Sequence, residues 1–224
     1  MKNFKLLIEA FVKFFVGLLF VVLLLFLPAG TFNFPNAWIF IALIFVPMIF
    51  LGIVLFIKSP ELLQKRLNSK EKENTQKSVV FLSSIMFLGM FIVSSLDFRF
   101  NLSVVPTWCV ILASVILLLS YGMYAEVMRE NAFLSRTVEV QENQKVIDSG
   151  LYGIVRHPMY TATILLFLSI PVVLGSWYAL IFVCGFPVLI VTRIINEEKV
   201  LEQGLEGYIE YKQKVRYRLI PLVW

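Results

Sequence analysis

The sequence predicts an all-α integral membrane protein with about six transmembrane helices. Of its 224 residues, 59% are hydrophobic and only 16% are charged, and the mean hydropathy is +0.83. Soluble domains have a charged fraction of about a quarter. The apolar residues also fall into runs of about 20, the length that crosses the hydrocarbon core of a bilayer. Composition and run length together exclude a soluble globular protein.

Six apolar runs can be marked by their length. They cover residues 14–32, 37–57, 79–96, 104–124, 159–174 and 177–195. Only Gly175 and Ser176 separate the last two runs, which predicts a tight helical hairpin. The fifth run is short and contains Pro171, so five spans with one shallow or re-entrant element is the alternative. The first run continues into the second without a convincing cleavage site, and we interpret it as a retained helix.

The chain divides into two parts. Residues 1–128 hold the first four spans and a polar loop at 58–78, whereas residues 129–224 hold the last two spans and a polar tail at 196–224. We expect the second part to form a cofactor site at the cytoplasmic face.

Two of the polar segments have a local pattern of their own. Ser59-Pro60-Glu61 predicts the start of a short interfacial helix whose leucines rest on the membrane surface, because Pro60 suits a first helical position. Alternation at Val138-Glu139-Val140 predicts a small β-hairpin over residues 137–147 that turns near Glu142-Asn143.

The basic residues predict the orientation. With a cytoplasmic N-terminus, every lysine and arginine falls on the cytoplasmic side except Arg99, as the positive-inside rule requires. We therefore expect both termini in the cytoplasm. The net charge of +5 is explained by this topology and by contact with anionic membrane lipids, not by nucleic acid. Cys109 and Cys184 both lie within apolar runs, so we predict neither a disulfide framework nor a metal site.

Two polar islands stand out in the apolar C-terminal half. They are Arg156-His157-Pro158-Met159-Tyr160, which contains the single histidine, and Arg193-Ile194-Ile195-Asn196-Glu197-Glu198. Pro158 predicts a helix start, whose free amides and partial positive charge favour an anion. In the second island Arg193 and Glu197 share a helix face. The hairpin brings both islands to one membrane face, where an anion-binding half and a cation-binding half suit a zwitterionic ligand.

Each of these residues taken alone has an ordinary explanation. Arg156 could be a cytoplasmic anchor, His157 a satisfied interfacial side chain, and Glu197-Glu198 the solvated start of a cytoplasmic helix, because charges are common near the ends of spans. Their combination across a tight hairpin favours a ligand site instead.

The two islands resemble a known signature. Arg156-His157-Pro158-x-Tyr160 followed by Arg193-Ile194-x-x-Glu197-Glu198-x-x-Leu201 is similar to the motif pair of the isoprenylcysteine carboxyl methyltransferase family and its prokaryotic members, which are related to phospholipid methyltransferases. The likeness covers residues 131–224. Ala162 departs from it, because the family usually has glycine at that position.

The resemblance implies binding of S-adenosylmethionine at the cytoplasmic face of a prokaryotic cell membrane. The methyl group would pass to a lipid-like or prenylated acceptor that arrives from the bilayer. The implied cofactor-binding residues are Tyr152, Val155, Arg156, His157, Pro158, Tyr160, Glu197 and Glu198. Arg193 and Glu197 are the implied catalytic residues, and Asn131, Phe133, Arg193 and Arg216 the implied acceptor-binding residues. Gly-x-Gly-x-x-Gly is absent from the sequence, so a Rossmann-type cofactor site is not expected.

Two other functions compete with methyl transfer. Membrane sterol reductases have a related C-terminal fold and bind NADPH, but the chain shows no additional basic cluster for the 2′-phosphate. A transporter or scaffold would place charges near the middle of the membrane or pair broken helices, whereas here the ionisable residues gather at one face.

Overall fold

The computed structural model describes residues 2–67, 74–135 and 140–224. Within these ranges the chain forms α-helices and one short 3-10 turn, with no β-strand, so the all-α prediction is confirmed. The helices are α1 (Lys2–Ala29), α2 (Pro35–Lys58), α3 (Pro60–Leu67), α4 (Asn74–Phe100), α5 (Thr107–Glu130), α6 (Pro158–Val173), α7 (Trp177–Val183), α8 (Phe186–Gly204) and α9 (Tyr208–Lys214), with the 3-10 turn at Gly150–Gly153.

Five helical segments are long and apolar enough to cross a membrane. They are Phe4–Ala29, Pro35–Lys58, Gln76–Phe100, Thr107–Glu130 and Trp177–Gly204. The remaining apolar helix, α6, has 16 residues. At 1.5 Å per residue it is about 24 Å long, short of the roughly 30 Å hydrocarbon core. The helix lengths therefore favour the five-span alternative, and a multi-pass membrane protein is confirmed.

The polar loop predicted at 58–78 is mostly helical. Pro60 begins α3, with Glu61 in its first turn and Lys65 and Arg66 in its last, an order that complements the helix dipole. Asn74 already belongs to α4, and residues 68–73 lie outside the described ranges. The leucines of α3 do not rest on the membrane surface as predicted. Leu62 and Leu63 are buried in a cluster with Leu6, Leu55 and Met128.

The predicted β-hairpin at 137–147 is wrong where the structure describes it. The turn at Glu142-Asn143 is present, with Asn143 at φ +57°, but residues 140–149 form no strand. Residues 137–139 lie outside the described ranges. Val140 and Val146 pack onto the helical tail instead of pairing across a hairpin, against Leu205, Tyr208, Tyr211 and Val215.

The last predicted span is not one continuous helix. α7 ends at Val183 and α8 begins at Phe186. Pro187 explains the break, because it has no N–H to donate and its ring would clash with the carbonyl of Val183 four residues earlier. Gly185 occupies the interruption, close to the Met86 side chain of α4.

The hairpin between α6 and α7 is confirmed as a tight turn. Gly175 has φ +83°, and a Cβ at this position would lie 2.7 Å from the Asn36 amide nitrogen, so glycine is required for both reasons. Ser176 then caps α7 by accepting a hydrogen bond from the Ala179 amide at 3.0 Å.

A buried carboxylate ties this turn to the rest of the bundle. Asp97, which is 2% exposed, accepts hydrogen bonds from the Ser103 amide at 2.8 Å, the Ser103 hydroxyl at 2.6 Å and the Ser176 hydroxyl. The Trp177 ring nitrogen donates to the Val104 carbonyl at 3.3 Å. These contacts define the hairpin end of the bundle.

The opposite end of the bundle, which we call the site end, carries both termini. Lys13 in α1 donates to the Leu67 carbonyl of α3 at 2.7 Å, and Lys65 donates to the Ala132 carbonyl after α5 at 3.3 Å. The C-terminal tail lies against the start of α6 at the same end. Placing this end in the cytoplasm remains a prediction.

We expect Asp97→Ala to destabilise the hairpin end. The change leaves the hydroxyls of Ser103 and Ser176 without their charged acceptor, and losing such bonds costs at least about 2 kcal/mol. Thermal unfolding in detergent will measure the loss. Thr192→Ala is the control, since Thr192 is exposed and bonds only within its own helix to Val188. Equal unfolding midpoints for the two variants would contradict a structural role for Asp97.

Candidate functional site

The structure brings the two polar islands into direct contact at the site end. The Tyr160 hydroxyl of α6 donates a hydrogen bond to Glu197 of α8. Arg193 Nε donates to the same hydroxyl oxygen at 2.8 Å. Arg193, Tyr160 and Glu197 therefore form a hydrogen-bonded chain that fixes the Glu197 carboxylate.

Glu198, the neighbour of Glu197, faces a different environment. It is 2% exposed, and Arg156 Nε donates to its Oε1 at 2.8 Å. His157 Nε2 lies 3.2 Å from the same oxygen, while Arg218 Nε donates to Oε2 at 2.9 Å. Lys212 Nζ lies 3.9 Å from Oε2. Both oxygens are thus engaged by cationic or hydrogen-bonding side chains of the protein itself.

The same cluster holds the C-terminal tail against α6. Arg156 Nη1 donates to the carbonyls of Val215 at 2.8 Å and Arg216 at 2.7 Å. The backbone amides of Arg156 and His157 donate to the carbonyls of Tyr217 and Arg218, each at 2.9 Å. The anion site predicted from the sequence is the N-terminus of α6 itself, and it stays a prediction. The two amides that directly precede α6 are bonded to the tail and are not available to an anion.

A cavity of about 720 Å³ opens beside the islands. This volume lies within the usual range of small-molecule sites, about 300–1,000 Å³. Its polar centre is formed by Arg156, His157, Tyr160, Arg193 and Glu197, with Met159 beside it. An apolar wall extends between the membrane helices and is formed by Phe20, Val79, Val80, Phe87, Phe186 and Ile190. A tail wall on the other side is formed by Val146, Tyr152, Leu201, Leu205, Tyr208 and Tyr211.

Most of the predicted site residues line this cavity. They are Asn131, Phe133, Tyr152, Arg156, His157, Tyr160, Arg193 and Glu197. Asn131 Nδ2 donates to the Tyr152 hydroxyl at 3.0 Å, so these two are joined. Burial raises the pKa of Tyr152 to about 12, although the bond from Asn131 acts in the opposite direction. The phenol is therefore neutral at physiological pH.

Four predicted site residues are not part of the cavity lining, which consists of described residues only: Val155, Pro158, Glu198 and Arg216. Val155 and Pro158 are buried in the packing around the start of α6. Glu198 is directed into the tail cluster. Arg216 is exposed and contributes its carbonyl to Arg156. The structure gives each of them packing or hydrogen-bond contacts within the protein, and their ligand roles stay predictions.

Several lining residues are not among those predicted from the sequence, notably Arg66, Tyr124, Lys145 and Tyr208. Tyr208 is 4% exposed, and its hydroxyl has no hydrogen-bond partner within the described part of the chain. Burial, followed by the charges of Glu198 and Glu197, raises the pKa of Tyr208, so its phenol stays protonated. In the sequence Tyr208 follows Leu205 by three residues, a spacing that is typical of one apolar helix face and does not indicate a ligand site.

Part of the chain, which includes the cavity's two polar islands, matches a known protein family. Residues 108–206 match the family model described as phospholipid methyltransferase, the family to which proteins like isoprenylcysteine carboxyl methyltransferase belong. The match starts in α5 and ends just after α8, so it includes both polar islands.

The chain is also similar to a Delta(14)-sterol reductase of the mouse, Mus musculus. The two are 31% identical over 91 residues, which are 39% of this chain and 22% of the mouse protein. The matched segment is thus a small part of that relative.

The family match supports a membrane methyltransferase. Residues 108–206 therefore carry the pattern of the phospholipid methyltransferase family, as the resemblance of the two islands predicts.

Proposed function

We propose that the protein is an S-adenosylmethionine-dependent methyltransferase, similar to isoprenylcysteine carboxyl methyltransferase, that modifies a lipophilic acceptor. One observation carries the proposal. The cavity joins a polar centre holding the fixed carboxylate of Glu197 to an apolar wall between membrane helices. A charged cofactor and a lipid can therefore meet in one cavity.

The residues present fit the cofactor. Glu197 would bind its ammonium group, since a carboxylate fixed by Tyr160 and Arg193 is a strong acceptor for a cation. The tail wall would hold the adenine ring between tyrosine and leucine side chains. The unpaired hydroxyl of Tyr208 would gain a partner there, which removes the cost of burying it unbonded.

The protein contributes alignment and exclusion of water. When bound, S-adenosylmethionine would supply an electrophilic methyl group: the acceptor bonds to the methyl carbon as the carbon–sulfur bond breaks, and S-adenosylhomocysteine leaves. The polar centre and the apolar wall hold the two reactants in line and keep bulk water away. Arg193 acts here as a positioning residue, because it reaches Glu197 through the Tyr160 hydroxyl.

The sequence similarity to the mouse sterol reductase supports a second candidate function, that of an NADPH-dependent membrane reductase. The tail wall could take the adenine of either cofactor. The polar centre distinguishes them, because the Glu197 carboxylate would pair with the ammonium of S-adenosylmethionine, whereas NADPH has no cationic amine for it.

We therefore expect the purified protein to bind S-adenosylmethionine and its demethylated product, S-adenosylhomocysteine, but not NADPH. Isothermal titration calorimetry in a neutral detergent, with each cofactor added in turn, makes this test. Binding of NADPH together with no heat from either methyl-transfer cofactor would establish the reductase alternative instead. No binding of any of the three would favour a transporter or scaffold.

A further inference from the structure

Arg66, near the end of α3, is a cation in the cavity wall that has no carboxylate partner among the described residues. Its guanidinium donates to the Tyr124 hydroxyl, to the Ser135 carbonyl at 3.4 Å and to the Met159 sulfur at 3.9 Å. Its Cζ also lies 5.3 Å from the centre of the Tyr124 ring. All of these partners are neutral, and no carboxylate oxygen of the described residues lies within 4.0 Å of the Arg66 guanidinium nitrogens.

A half-buried arginine usually has a counter-charge, because desolvating an unpaired cation is costly. Arg156 shows the usual arrangement, with Glu198 at 2.8 Å. Lys145, Arg156 and Arg193 are further cations in the cavity lining, whereas Glu197 is the one acidic side chain among the described lining residues. The cavity therefore has an excess of positive charge that favours an anionic ligand.

The position of Arg66 separates it from the proposed cofactor residues. It contacts Met159 on the first turn of α6, beside the polar centre, but it extends from α3, which the buried Leu62 and Leu63 hold near α1. Phe20 of α1 and Val79 of α4 belong to the apolar wall. The tail wall comes from residues 140–149, the 3-10 turn, the end of α8 and α9, and α8 is the element that it shares with the apolar wall.

We propose that Arg66 binds an anionic head group of the methyl acceptor, a carboxylate or a phosphate, while the acceptor's hydrocarbon lies along the apolar wall. The proposal rests on the proposed methyltransferase function. It identifies the acceptor class as an acidic amphiphile. Since α3 precedes the family-matched residues 108–206, the selectivity belongs to this chain's own N-terminal part.

Three probes with one hydrocarbon chain test the proposal: oleate, oleyl phosphate and oleyl alcohol. Their affinities are measured by microscale thermophoresis in a neutral detergent, with S-adenosylhomocysteine present, at a mildly alkaline pH where the acids stay ionised. We expect the wild type to bind one or both acids about tenfold or more tightly than the alcohol, the usual effect of a charged hydrogen bond. The better acid shows whether the site prefers carboxylate or phosphate.

Arg66→Gln should abolish this preference for the acids and leave the affinity for oleyl alcohol unchanged. Arg66→Lys should keep part of the preference for the acids, because lysine has the positive charge but not the planar guanidinium that donates two parallel hydrogen bonds. Arg129→Gln is the matched control, since Arg129 is exposed, pairs with Glu126 and Glu130, and is not part of the described cavity lining. It should keep the full preference.

Three outcomes would overturn the proposal. The wild type could bind acids and alcohol equally, or Arg66→Gln could keep the preference. Arg66→Gln could also weaken the binding of S-adenosylhomocysteine, titrated alone, as much as it weakens the binding of the acids. That result would assign the guanidinium to the cofactor's carboxylate. The proposed function fails separately, if the wild type binds no S-adenosylhomocysteine while the Arg66-dependent preference for acids persists.

Discussion

Glu198→Gln is expected to lower the midpoint of thermal unfolding by on the order of 10 °C and to release the C-terminal tail. The neutral amide leaves Arg156, His157 and Arg218 around a buried position with no counter-charge. Breaking a buried ion pair from one side costs about 3–5 kcal/mol, and in a chain of this size each kcal/mol shifts the midpoint by about 2–4 °C. Thermal unfolding in detergent and limited proteolysis within residues 205–224 measure both effects.

Glu202→Gln provides the control for the loss of charge alone. Glu202 is an exposed partner of Lys212, one helical turn beyond Glu198, and surface pairs contribute at most about 1 kcal/mol. Its unfolding midpoint should stay close to that of the wild type. If Glu198→Gln behaved the same way, the tail would be held by its backbone bonds alone, and Glu198 could serve the cofactor as the sequence predicts.

The sequence predicted the parts of the structure that depend on local pattern. Apolar runs identify the membrane helices because the bilayer imposes their length. Gly175-Ser176 identifies the hairpin because two residues allow little else. The break at Gly185 was also predictable, since Pro187 cannot donate to Val183.

Long-range packing determines which of the two glutamates lines the cavity, and this could not be predicted from the sequence. Glu197 and Glu198 are adjacent and point about 100° apart on α8. Which of them faces the cavity depends on where the tail packs, and the tail is positioned by backbone bonds between residues 156–157 and 217–218. No local pattern contains that information.

Arg66 shows the same limit on the N-terminal side. Its role depends on α3 packing near Tyr124 and Met159, which lie 58 and 93 residues away in the chain. From sequence alone it belongs to a charged loop among many basic residues. Only the absence of a carboxylate around it in the described fold distinguishes it from an ordinary anchor.

Glu197→Gln is expected to weaken binding of S-adenosylhomocysteine by about 10- to 100-fold and to leave the unfolding midpoint of the ligand-free protein nearly unchanged. The glutamine oxygen can still accept the Tyr160 hydroxyl, so the chain from Arg193 stays bonded. What is lost is the negative charge facing the cofactor's ammonium, and charged hydrogen bonds contribute about 1.5–3 kcal/mol. Isothermal titration calorimetry measures the affinity, and thermal unfolding without ligand measures the stability.

The contrast between neighbouring glutamates makes this test specific. Both substitutions remove one charge and keep the side-chain shape, on consecutive residues of the same helix. A merely destabilising effect would lower the midpoint of both variants, whereas a ligand contact at Glu197 changes affinity without changing stability. Unaltered affinity in Glu197→Gln would show that the cavity carboxylate does not bind the cofactor. The ammonium would then have to be held by the carbonyls or hydroxyls of the tail wall, where Tyr208→Phe becomes the informative variant.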